Sequence, residues 1–142
     1  GYQAFLAGHY GVPLILCTGD AWACREAAEL VPGCVGAAVK YGCSELSALT
    51  YTPARAREII EEAAERAMGV ISQVKPLEPG SPVVFRREMY DPSFDPENPP
   101  RFSRVLDAHT IETEASDMKD LMDRVYGFDP DWQPMWKQEA RS

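Results

Sequence analysis

The chain has 142 residues, with 45% hydrophobic and 25% charged side chains and a formal net charge of -8. That length is enough for one ordinary domain with its own core. An acidic chain of this kind is a poor match for nucleic acid or anionic lipid, and no apolar run is long enough to cross a bilayer. The sequence therefore predicts no nucleic-acid partner and no membrane partner.

The residues from Tyr2 to His9 read as a first helix, with Tyr2, Phe5, Leu6 and Tyr10 near helical spacing. No N-cap precedes it and the chain opens on Gly1, so the expectation is that this is the later part of something longer. The stretch Gly8 to Asp20 organises the rest of the chain. Val12 to Cys17 is an unalternating apolar run, predicted as a strand covered on both faces. Thr18-Gly19-Asp20 then turns into a helix over Ala21 to Leu30, with Asp20 as its N-cap. Trp22, Ala23, Ala27, Leu30 and Val31 form its expected apolar set. Cys34 to Lys40 is a second buried run. Two such runs around one helix predict adjacent parallel strands.

Tyr41 to Tyr51 reads as a loop. Thr52-Pro53 opens the clearest helix, with Ala56, Ile59, Ile60, Ala63, Ala67 and Ile71 in one stripe. The prolines between Val74 and Pro82 mark a connection, after which the pattern changes. Val83 to Met89, Arg104 to Ala108 and Thr110 to Ala115 read as strands around a proline-rich loop, Asp91 to Pro100. Ser116 is the expected cap of a last helix that stops at Gly127. Trp132 and Trp136 predict a docked tail over Phe128 to Ser142. The reading is α/β: a parallel-sheet α/β layer followed by a smaller α+β region. The expected divisions are residues 1–73, 74–127 and 128–142.

Residues that carry chemistry are sparse. The two histidines, His9 and His109, are a hundred residues apart, and no HExxH, GxSxG, P-loop or GxGxxG is present. Four cysteines, Cys17, Cys24, Cys34 and Cys43, form no CxxC. They read as reduced, mostly buried thiols of a cytoplasmic protein. Asp20 and Cys17 are the candidate catalytic residues, because ligands of open α/β sheets bind beyond the carboxyl ends of the strands. For Asp20 the competing reading is the structural N-cap. For Cys17 it is a buried thiol, unless the helix N-terminus at Ala21 activates it. No metal ligands and no cofactor-binding residues are assigned.

The motifs Ala7-Gly8-His9-Tyr10-Gly11-Val12-Pro13, Thr18-Gly19-Asp20, Ala38-Val39-Lys40 and the helix opened by Pro53 occur in this order. Together they resemble the D-aminopeptidase DppA family of zinc peptidases, peptidase family M55, over Gly1 to Ile71. The resemblance implies a cytoplasmic enzyme of stacked subunit rings that removes N-terminal D-residues from short peptides with a two-zinc centre. It also implies that the zinc ligands lie upstream of Gly1, so that this chain alone binds none. An N-terminal half would then be the partner that completes the site, with residues 1–73 finishing a larger metallopeptidase domain. Ala21 stands where relatives usually carry a second acid, and Glu45 where an arginine is common. Two other readings remain open: a non-catalytic assembly or small-molecule-binding α/β subunit, and an independent α/β enzyme using Cys17 or Asp20.

Overall fold

Helix α1 (Tyr2–His9) passes so close to Leu77 that a Cβ on Gly8 would stand 1.9 Å from the Leu77 carbonyl oxygen. Only glycine permits that approach. The computed structural model describes residues 1–91, 94–95 and 97–126. The chain divides into two units, Gly1–Glu78 and Pro79–Ser142.

In the first unit, β1 (Leu16–Asp20) leads through α2 (Ala21–Leu30) to β2 (Val35–Ser44). The two strands pair in parallel, Leu16 against Val35 and Thr18 against Ala37, as the sequence predicts. The boundaries differ from expectation. The strand starts at Leu16, after Pro13, which has no amide to donate. It runs on through Gly19, whose φ of 131° suits glycine alone, to Asp20. The expected cover on both faces is also corrected. β1 is half-buried and is an edge of the sheet β1-β2-β3, because among the described residues β2 is its one strand neighbour.

The predicted loop at Tyr41 to Tyr51 is instead a hairpin. β2 continues to Ser44 and returns as β3 (Ser47–Thr50), antiparallel, with Tyr41 opposite Leu49. The Ser44 and Ser47 hydroxyls meet at 2.7 Å and fasten the turn. No Asn-Gly or Asp-Gly marks that turn in the sequence.

Helix α2 is phased differently from the expected apolar set. Cys24 and Ala27 are buried, whereas Trp22 is 66% exposed and lies beside the Arg25 guanidinium. Small residues win that face because the helix lies close on β2. A Cβ on Gly36 would meet the Cys24 Cβ at 3.2 Å. Helix α3 (Pro53–Val70) begins as predicted, with the Thr52 hydroxyl accepting the Arg55 amide and Pro53 in the first turn. Ala63 and Ala67 are its buried residues, Ile59 and Ile60 are half-buried, and Ile71 is exposed beyond its end. Ala27, Val31, Cys34 and Val74 form the core, with Leu14, Ile15, Leu30, Val70 and Leu77 against it.

The second unit is a small antiparallel sheet in the order β4-β6-β5, made of β4 (Val83–Glu88), β5 (Ser103–Val105) and β6 (Thr110–Ala115). Helix α4 (Met118–Tyr126) packs on it and buries Met118 and Leu121, with Ile111 and Thr113 also buried. Asp117, and not Ser116, caps that helix. Its Oδ1 accepts the Asp120 amide at 2.8 Å, and the Asp120 carboxylate accepts the Ser116 amide at 2.9 Å. This is a variant of the capping box built with aspartates, in which Asp120 reaches past the cap to the Ser116 amide. The expected stop at Gly127 and the docked tail with Trp132 and Trp136 lie outside the described residues. Among the described residues, no helix is long and apolar enough to cross a membrane.

Candidate functional site

Asp20 stands at the carboxyl end of β1, and both of its oxygens are engaged. Oδ1 accepts the Trp22 amide at 2.9 Å and caps α2. Oδ2 accepts the Gly42 amide at 2.9 Å, across to the hairpin. A Cβ on Gly42 would lie 3.4 Å from that oxygen, so the approach is close but not closed to other residues. The carboxylate therefore ties a helix N-terminus to the base of the β2–β3 hairpin. That geometry positions backbone and leaves no oxygen free of a backbone amide.

Cys17 is half-buried, earlier on the same strand. Its thiol points at the Ala23 carbonyl at 3.8 Å, and its own carbonyl accepts the Cys24 thiol at 3.4 Å. A carbonyl oxygen does not stabilise a thiolate, so this contact gives Cys17 none of the activation a nucleophile needs. Burial pushes the Cys24 and Cys34 thiols up from their ordinary value, and the neighbouring Cys17 adds to this. Cys24 and Cys34 are small buried residues with protonated sulfur. Cys43 is exposed on the hairpin.

The histidines are separate. His9 is exposed at the end of α1, edge-on to Tyr10 with ring centroids 4.9 Å apart. His109 lies in the second unit beside an open cavity of about 590 Å³ lined by Glu88, Met89, Tyr90, Asp107 and Thr110. Its Nδ1 is 3.1 Å from the Met89 carbonyl, and its backbone amide donates to Asp107 at 2.8 Å. That amide, with the Thr110 hydroxyl, holds the Asp107 carboxyl below its usual range. The aspartate closes the β5–β6 turn.

On the same sheet Glu112 is only 5% exposed. Arg86 donates to its Oε2 from Nε at 3.2 Å and Nη2 at 3.0 Å, and Arg104 grips Oε1 from Nε at 2.9 Å and through Nη2. The two guanidinium groups hold its carboxyl below the usual range. Sequence reasoning passes over Glu112, because an acid in an alternating strand reads as exposed. The pairing of Arg86 and Arg104 to either side of it is a matter of strand register, which alternation alone does not give.

Among the described residues, no three His, Cys, Asp or Glu side chains converge to hold a metal ion. The described residues by themselves do not supply the three or more converging ligands that a zinc centre needs.

The first unit holds a parallel βαβ layer of the α/β class. The D-aminopeptidase family model, peptidase M55, matches residues 1–126, and the chain belongs to that family. A D-aminopeptidase of Bacillus subtilis strain 168 is 38% identical over 79 residues, which is 56% of this chain and 29% of that protein. The solved structure of the Zn-dependent D-aminopeptidase DppA from Bacillus subtilis, described as a self-compartmentalizing protease, matches with a TM-score of 0.79 and 27% identity. That match covers 89% of this chain and 47% of the DppA chain. The chain thus spans under a third of the curated relative and about half of the solved one.

Proposed function

We infer that this chain is the later portion of a zinc-dependent aminopeptidase that hydrolyses N-terminal residues, D-residues among them, from short peptides. The observation that carries this reading is the family match over residues 1–126. The metal ligands would come from an N-terminal half supplied outside this chain, since the described residues gather no ligand set. Residues 1–73 would complete that half's α/β domain, and the open edge of β1 is where a further strand would join. Asp20 and Cys17 serve the scaffold in this reading. The working enzyme would be a cytoplasmic homo-oligomer, in line with the self-compartmentalizing relative.

The test has two parts. The chain purified alone, passed through gel filtration and assayed for metal, is expected to retain no stoichiometric zinc. Supplying the N-terminal half is expected to bring both zinc and release of N-terminal residues from short D- and L-peptides. Stoichiometric zinc held by this chain alone through His9, His109 or the cysteines would overturn the assignment. A stable complex with no hydrolysis of either peptide series would favour the assembly or binding subunit.

A further inference from the structure

The second sheet carries a row of charge that its own contacts do not exhaust. Arg86 and Arg104 stand opposite Glu112, one on each side, in register. Each turns its Nε and Nη2 toward that buried carboxylate, and the two side chains are 65% and 72% exposed. A guanidinium has five N–H donors in a rigid fork. Nη1 of each arginine is therefore not spent on Glu112, and it meets no other group among the described residues. Two forks held still by a shared anion are pre-organised for a second one, because little side-chain entropy is left to lose.

The charge of the row sets the kind of anion. Two guanidinium groups against one ionised carboxylate leave a single positive charge. That matches a monoanion such as a carboxylate, whose planar oxygens suit an arginine fork. Glu88 and Glu114 stand one step to either side of the row, opposite Thr110 and Val84. They oppose a more highly charged group such as phosphate.

The cavity beside Glu88 has the opposite preference. Glu88 and Thr110 pair in the ladder next to Arg86 and Glu112, and both line that cavity with Tyr90, Asp107 and His109. The Thr110 hydroxyl is taken up by Asp107. His109 Nδ1 faces the Met89 carbonyl, which only accepts, so in the neutral ring Nε2 is left as an acceptor. Acceptors and negative charge dominate the lining, and they suit an ammonium group. Glu114, on the far side of the row, has the Arg124 guanidinium near it. Glu88 makes no ion pair among the described residues.

We propose that this face of the second sheet binds a short peptide with both ends free, its C-terminal carboxylate on Arg86 and Arg104 and its N-terminal ammonium at Glu88. The two subsites are one ladder step apart on the same face, roughly 7 Å along a strand. An extended dipeptide spans about 7 Å between its ends. The proposal rests on the function inferred above for its class of ligand, and it adds a site in the second unit. Glu112 is a positioning residue there: its carboxylate holds both forks and touches no ligand.

The test is titration of the zinc-free chain with glycylglycine, followed by NMR at the arginine Nε–H signals and the backbone amides of β4 and β6. Saturable shifts are expected at Arg86, Arg104 and Glu88. Glycylglycinamide, which lacks the carboxylate, and N-acetylglycylglycine, which lacks the ammonium, should each bind at least tenfold more weakly. Arg104→Lys keeps the charge but loses the fork, and should weaken glycylglycine binding at least fivefold. If that variant fails to fold by circular dichroism, the exposed Glu88→Gln decides. It should weaken glycylglycine and leave the affinity for N-acetylglycylglycine unchanged. No saturable shift, equal affinity for glycylglycine and its amide, or tighter binding of inorganic phosphate would overturn the proposal. Peptide hydrolysis by the completed enzyme reads the catalytic assignment separately, so either can fail alone.

Discussion

Asp20 accepts the Gly42 amide at 2.9 Å while its other oxygen caps α2 through Trp22. One side chain thus joins the start of α2 to a strand residue 22 positions further along the chain. Asp20→Ala removes both bonds and is expected to cost about 0.5–2 kcal/mol from the lost cap alone. Asp20→Asn keeps an oxygen for the cap but turns an amide group toward the Gly42 amide. It should therefore leave α2 intact and speed hydrogen exchange at Gly42. A catalytic carboxylate would behave otherwise: Asp20→Asn would abolish hydrolysis in the completed enzyme with no change in Gly42 exchange.

Two glycine replacements should act in opposite directions. Gly8→Ala drives a methyl group into the Leu77 backbone and is expected to cost roughly 2 kcal/mol or more. Gly69→Ala, in the last turns of α3, meets nothing within 4 Å and should stabilise by about 0.5–1 kcal/mol. Urea denaturation of the two variants checks both signs. Similar effects would mean that α1 does not approach Leu77 as described.

The second unit should lose stability in acid in a way that traces to Asp120. Arg124 and the Ser116 amide hold its carboxyl at about 2, against an ordinary 3.8. The folded-state value is depressed, so the stabilisation is complete above the unfolded value and disappears as pH falls through the folded one. Thermal melts should fall from about pH 4 down to pH 2. Asp120→Asn should flatten that part of the profile, and a profile unchanged by the substitution would count against the capping box.

Ala63 and Glu62 test the phase of α3, and Ile60 lies between its two faces. Ile60 is half-buried, while Ala63 and Ala67 take the closest positions. Ala63→Leu is expected to destabilise by about 1–3 kcal/mol through overpacking. Glu62→Ala on the exposed side should change stability by less than about 0.5 kcal/mol. Equal effects in chemical denaturation would place the helix faces elsewhere.

Local rules make much of this fold legible. The Thr52-Pro53 start and the Asp20 cap come from residues within a few positions of one another, and the parallel pair follows from two apolar runs around one helix. The hairpin is not legible, because its turn is held by two serine hydroxyls and not by a glycine-containing turn. The face of α2 misleads for a related reason. Hydrophobicity favours Trp22, but close approach to Gly36 favours Cys24. The candidate site is legible mainly as family motifs, since Asp20 and Cys17 make structural contacts and no ligand set lies among the described residues.

The Glu112 carboxylate belongs to the middle strand, and its two oxygens are held by the two outer strands, one each. The outer strands are therefore not independent. An excursion that frees β4 leaves Arg104 facing a half-satisfied, nearly buried anion, and this weakens the hold on β5. The sheet should open in native-state exchange as a single cooperative unit, with β4 and β5 exposed on the same timescale. Glu112→Gln should split that event into two, with each edge strand fraying at its own rate.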